Sequence, residues 1–91
     1  MGKTPDNIHS LDTYASLLFL QGSYAEAEEI QKKALDGGGD KRASYLEMYG
    51  DIQIKLGNKD EAIRYWKMAQ EMEGHSDKLA EKLSSESYIE R

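Results

Sequence analysis

Shifted along itself by 35 residues, the chain matches itself in residue type as well as in hydrophobicity. The stretch LDTYASLLFLQGSYAEAEEIQKKA, Leu11 to Ala34, falls on LEMYGDIQIKLGNKDEAIRYWKMA, Leu46 to Ala69. Leu11 meets Leu46, Tyr14 meets Tyr49, Gly22 meets Gly57, Glu26 meets Glu61, Ala27 meets Ala62, Lys32 meets Lys67 and Ala34 meets Ala69. A fold built from one short unit used twice must bury its apolar faces by stacking the units on each other.

Each copy reads as two helices around a tight turn. Leu11, Tyr14, Ala15 and Leu18 recur at helical spacing, and Gly22 then supplies the left-handed residue that closes a helix. Ser23 with Glu26, and Asn58 with Glu61, have the spacing of a capping box that opens the next helix. The second helices place Ala27, Ile30 and Ala34, and then Ala62, Tyr65 or Trp66, and Ala69, on one face. The alanines let neighbouring helices approach and the large residues fill the groove opposite, which predicts antiparallel hairpins. DGGGDK, from Asp36 to Lys41, reads as a loop between copies, since glycines in mid-helix cost about 1 kcal/mol each. Without a strand before it this loop does not make a phosphate cradle, and GKT at Gly2 to Thr4 lacks one as well.

Composition narrows the class further. With 38% apolar and 32% charged residues among 91, the chain suits a single small soluble domain. A domain of that size buries roughly 60 to 65% of its unfolded surface, so modest stability is expected. The absence of cysteine excludes thiol catalysis and thiolate metal sites but fixes no compartment. No apolar run approaches the roughly 20 residues of a membrane span, and MGKTPDNIHS lacks the apolar stretch of a signal peptide. A net charge of -5 without a basic cluster argues against nucleic acid.

These residues resemble the tetratricopeptide repeat. The second copy supplies Leu46, Tyr49 with Gly50, Gly57, Ala62, Trp66 and Ala69; the first supplies Leu11, Tyr14 with Ala15, Gly22, Ala27 and Ala34. The resemblance covers about residues 8 to 76. It departs at Gln31, where an aromatic is usual, at Gly39 and Gly74 in place of closing prolines, and by one extra residue in the glycine loop. The terminal LAEKLSSESYIER resembles the last repeats of long bacterial proteins of this type. The resemblance implies an all-α fold, two helix-turn-helix repeats and a capping helix, forming a right-handed α-solenoid fragment. The expected divisions are 1–7 as the tail of a preceding repeat or a cloning remnant, 8–42 and 43–76 as the repeats, and 77–91 as capping helix and tail. In TPDN, Pro5 stands where that family places the closing proline of a preceding repeat. In the capping helix Leu79 and Leu83 form a narrow stripe, with Asp77, Lys78, Glu81 and Lys82 expected on a polar outer face.

Chemistry-bearing residues are sparse. His9 and His75 sit at opposite ends of the chain, and no serine, carboxylate pair or ligand set has a catalytic or metal-binding pattern, so neither an enzyme nor a cofactor is expected. Tyr49, Tyr65 and Trp66 read as core at helical spacing, and AEAEE, Ala25 to Glu29, as a solvated face. By the resemblance, the first helix of each repeat lines a concave groove, which places there His9, Asp12, Ser16 and Phe19 from copy one. From copy two it places Ser44, Glu47, Asp51, Ile54 and Lys55. That row suits a peptide or helix of a partner protein anchored by one or two apolar side chains. Its acidic groups make a basic or neutral ligand the expected one, in place of a C-terminal carboxylate. The alternative is a structural segment of a larger array, whose exposed first helix packs on a missing repeat or on a second copy, the latter giving a homodimer. The compartment stays open between bacterial cytoplasm and cell envelope.

Overall fold

In the computed structural model, which describes residues 8–72 and 78–85, the chain forms five α-helices and, among those residues, no strand. These are α1 (Ile8–Leu20), α2 (Tyr24–Asp36), α3 (Ala43–Lys55), α4 (Lys59–Gln70) and α5 (Lys78–Ser85), with a single 3-10 turn over Gly39–Lys41 before α3. Each helix packs on the next in chain order, and α1 also touches α3. TPDN, His75 and the Tyr88–Ile89 tail lie outside the described residues.

The two tight turns are copies of each other. Gly22 at φ 84° and Gly57 at φ 90° supply the left-handed residue. Ser23 N–H donates to Leu18 O at 2.9 Å and Gly22 N–H to Phe19 O at 3.1 Å; one repeat on, Asn58 N–H donates to Gln53 O at 2.9 Å and Gly57 N–H to Ile54 O at 3.2 Å. These are the paired bonds of a Schellman ending, and they absorb carbonyls that the helix end would leave unsatisfied.

The capping boxes expected at Ser23 and Asn58 do not form: neither side chain caps its helix. The next helix starts directly after the left-handed glycine, so the same residue ends one helix and begins the other. That residue is Ser23 or Asn58: its N–H is already spent on the helix behind, while its carbonyl accepts from Ala27 N–H or Ala62 N–H ahead. The Asn58 amide instead donates to Gln53 Oε1 at 2.8 Å.

Two apolar clusters hold the layers. Leu18, Phe19 and Ala27 of the first pair meet Met48 and Ile52 of α3. Tyr45, Leu46, Tyr49, Ala62, Trp66, Ala69 and Leu79 form the other cluster, joining α3, α4 and α5. Ala27, Ala34, Ala62, Ala69 and Trp66 are wholly buried, as the alternation of small and large residues predicts. Among the described residues, no helix is long and apolar enough to cross a membrane.

Candidate functional site

The row expected to line an open groove is divided by the fold. His9, Ser44 and Lys55 are exposed, Asp12, Ser16 and Ile54 half-buried, and Phe19, Glu47 and Asp51 buried. Phe19 therefore does not anchor a ligand from an open surface. It packs among Leu18, Ala27, Met48 and Ile52, with its ring edge-to-face on Tyr24 at 5.4 Å between centroids. The reason is geometric: positions seven apart on a helix share a face. On α1 that face meets α3 through Phe19 and the Met48–Ile52 stripe, and on α3 it meets α5.

The meeting with α5 is the most concentrated chemistry among the described residues. Lys82 is completely buried, contrary to its expected place on the outer face of the capping helix. Its Nζ donates to Glu47 Oε2 at 2.6 Å and to Asp51 Oδ1 and Oδ2 at 2.8 and 3.1 Å. Trp66 Nε1 donates to the same Asp51 Oδ1 at 3.1 Å, and the ammonium lies 6.0 Å from the indole centroid. Buried charges persist only where partners replace the lost water, and here the lysine has two carboxylates and a ring face. Removing one partner from such a cluster costs about 3 to 5 kcal/mol, because the others stay buried without compensation.

One repeat earlier the same places hold a milder version. Asp12 stands for Glu47, Ser16 for Asp51, and Gln31 for Trp66. Gln31 is fully buried, and its Nε2 donates to Asp12 Oδ1 and to Tyr45 O, each at 3.0 Å. The amide thus ties α1, α2 and α3 together at the position that Trp66 occupies one repeat on. Glu28, within the run expected to be merely solvated, accepts from Gln53 Nε2 at 2.7 Å and from Tyr49 Oη at 3.4 Å.

An open cleft of about 380 Å³ lies between α2 and α4, with Leu35, Leu46, Tyr49 and Met68 in its lining and Lys32 and Asp36 among its polar groups. Tyr49 is buried here with its ring edge-to-face on Tyr65 at 4.6 Å. Burial first, and the Glu28 carboxylate second, push its phenol up to about 12. The aromatic residues of the second pair are thus packed in or against the core and do not form an open box.

Sequence reasoning missed Lys82 and Gln31. For Lys82 a signal was present: it follows Leu79 by three residues and directly precedes Leu83, so it borders the apolar stripe that seats the helix. For Gln31 the register was the signal, since it occupies the place of Trp66. No protein-family model matches the chain, and no curated protein matches it significantly.

Proposed function

We propose that this chain is a non-catalytic interaction scaffold of the tetratricopeptide type, which holds a helix of a partner protein against its first helix. The observation that carries this reading is the outer face of α1. Tyr14, Leu17 and Leu20 are 50%, 53% and 77% exposed, whereas Tyr49 and Ile52, the α3 counterparts of the first two, are 8% and 0% exposed. Across α3 those positions are covered by the α1–α2 pair. The same face on α1 is therefore shaped to receive a helix and offers side chains worth about 1.5 to 3 kcal/mol each when fully buried. Asp12 is the only Asp, Glu, Lys or Arg of α1, and it accepts a hydrogen bond from Gln31 on the inner side. The docking stripe is apolar, and the net charge of -5 favours a basic or neutral partner over an acidic one. His9 and Ser16 border the stripe as polar contacts.

Self-association through the same helix is the second reading, and area places it second. The three side chains expose on the order of 400 Å², so a symmetric contact between two copies buries roughly 800 Å², below the ~1,200 Å² of stable interfaces.

A photo-crosslinking residue at Leu17, with one at the exposed Arg64 as control, tests the reading in cells making the full chain. An adduct specific to position 17, followed by at least tenfold weaker binding of the purified adduct partner to Leu17→Asp, supports it. Absence of a specific adduct, or a dimer in sedimentation that Leu17→Asp abolishes, overturns it, the latter in favour of self-association.

A further inference from the structure

One copy of the stripe left open on α1 is already covered within the chain. On α3 it consists of Tyr45, Tyr49 and Ile52, all buried, and three residues of α2 meet it in turn. Gln31 Nε2 donates to Tyr45 O at 3.0 Å, Glu28 accepts from Tyr49 Oη at 3.4 Å, and Ala27 shares an apolar cluster with Ile52. Contacts that ascend along α3 descend along α2, so the two helices run in opposite directions. One repeat earlier the stripe is Ser10, Tyr14 and Leu17, spaced by four and three residues as on α3. Tyr14 keeps the phenol of Tyr49, Leu17 keeps an apolar side chain, and Ser10 keeps the backbone carbonyl that Tyr45 offers. The two copies differ at one donor. On α3 the Glu28 carboxylate also accepts from Gln53 Nε2 at 2.7 Å, whereas the α1 counterpart of Gln53 is Leu18, which has no polar side-chain atom. A carboxylate arriving over α1 at the place of Glu28 therefore depends on the Tyr14 hydroxyl.

We infer that Tyr14 determines which helix the outer face of α1 accepts: an antiparallel partner helix carrying Ala-Glu-x-x-Gln. Its alanine lies on Leu17, its glutamate accepts from the Tyr14 hydroxyl, and its glutamine donates to the Ser10 carbonyl. This rests on the reading of that face as a docking surface, and it names the chemistry that the surface selects. The alanine lets the two backbones approach, as Ala27 does over α3. The glutamate loses water as the helix arrives and needs a donor in exchange, and a hydrogen bond to a charged group is stronger than one between neutral groups. A partner with an apolar residue at that place covers the Tyr14 hydroxyl without giving it an acceptor, which costs affinity. One carboxylate at the contact is compatible with a partner that is basic or neutral as a whole, since the other faces of its helix carry the rest of its charge.

The test uses the full chain and a fluorescein-labelled, lactam-bridged helical peptide of about 18 residues, with Ala-Glu-x-x-Gln at its centre and no net charge. Binding is read from the anisotropy of the label. Leu17→Asp is expected to weaken it at least tenfold, which places the peptide on α1 and not in the seat that α2 occupies. Tyr14→Phe, and separately alanine for the peptide's glutamate, should each weaken binding by about fivefold or more. Made together, the two changes should lose little more than either alone, because both remove the same bond. Tyr14 is half exposed, so its replacement by phenylalanine leaves the folded chain intact, and circular dichroism checks this. No binding, binding that Leu17→Asp leaves unchanged, or losses from Tyr14→Phe and the peptide change that simply multiply overturn the inference. A specific cellular adduct at Leu17 alongside any of these results keeps the docking face and removes the partner assigned to it, so the two fail separately.

Discussion

Replacing Gly50 by alanine adds one methyl group to the middle of α3, and its sign is set by competing terms. On an open helix the change stabilises by about 1 kcal/mol, because glycine gives up more backbone freedom on folding. At this site a Cβ would lie 2.5 Å from Cδ1 and 2.6 Å from Nε1 of Trp66, and 3.1 Å from the Ala62 carbonyl oxygen. Carbon contacts settle near 3.5 to 4.0 Å, so the indole has to retreat by about 1 Å. That retreat breaks the 3.1 Å bond from Nε1 to Asp51. A hydrogen bond to a charged group contributes about 1.5 to 3 kcal/mol, and overpacking a core costs about 1 to 3. Against the gain of about 1, the expected outcome is a loss of about 1.5 to 5 kcal/mol.

Urea unfolding followed by Trp66 emission and by far-ultraviolet circular dichroism measures this loss, in an osmolyte that keeps a folded baseline for the variant. The chain contains its own control. One repeat earlier the positions of Gly50 and Trp66 are Ala15 and Gln31, where a methyl group and an amide coexist fully buried. Combining Gly50→Ala with Trp66→Gln transplants that pairing, so the double variant should be at least 1 kcal/mol more stable than the sum of the single losses predicts. If Gly50→Ala is as stable as the parent, or if the two losses simply add, the steric argument is wrong.

Three further outcomes are expected. Ala62→Leu should cost about 1 to 3 kcal/mol by overpacking the α3–α4 contact, read as a lower urea midpoint at unchanged slope; an unchanged midpoint would remove Ala62 from close packing. Gly39→Ala should also destabilise, because its Cβ would stand 2.6 Å from Tyr45 Cδ2 and 2.7 Å from the Ala34 carbonyl oxygen, and denaturation would show no loss if the loop could yield. Tyr49, raised from 10.0 to about 12, stays protonated in the folded chain after the unfolded chain has ionised. Its contribution is therefore complete below pH 10 and is lost between pH 10 and about 12. Stability against pH should fall less steeply in Tyr49→Phe over that window, and parallel curves would refute the assignment.

The helical pairs and their turns were legible because their signals are local. Gly22 and Gly57 fix a backbone conformation, and Ala27, Ala62 and Trp66 mark buried faces by size alone. What escaped was the identity of each helix's neighbour. The row running through Glu47 and Asp51 looks solvent-facing because it is charged, and only a lysine 31 to 35 residues away makes its burial tolerable. Phe19 was misplaced for the same reason: its face is correct, but Met48 and Ile52 lie where an open groove was expected. The capping boxes failed through competition, since the N–H of Ser23 and of Asn58 that Glu26 and Glu61 would accept from already closes the helix behind.

The separation between Lys82 and its two carboxylates also orders events at the ribosome. Synthesis runs from the N-terminus, so α1 to α4 leave the exit tunnel before α5 does. The local hairpins pair quickly, while Glu47 and Asp51 wait for their counterion in contact with water. For that interval the nascent chain displays an acidic, partly apolar surface that the finished molecule conceals.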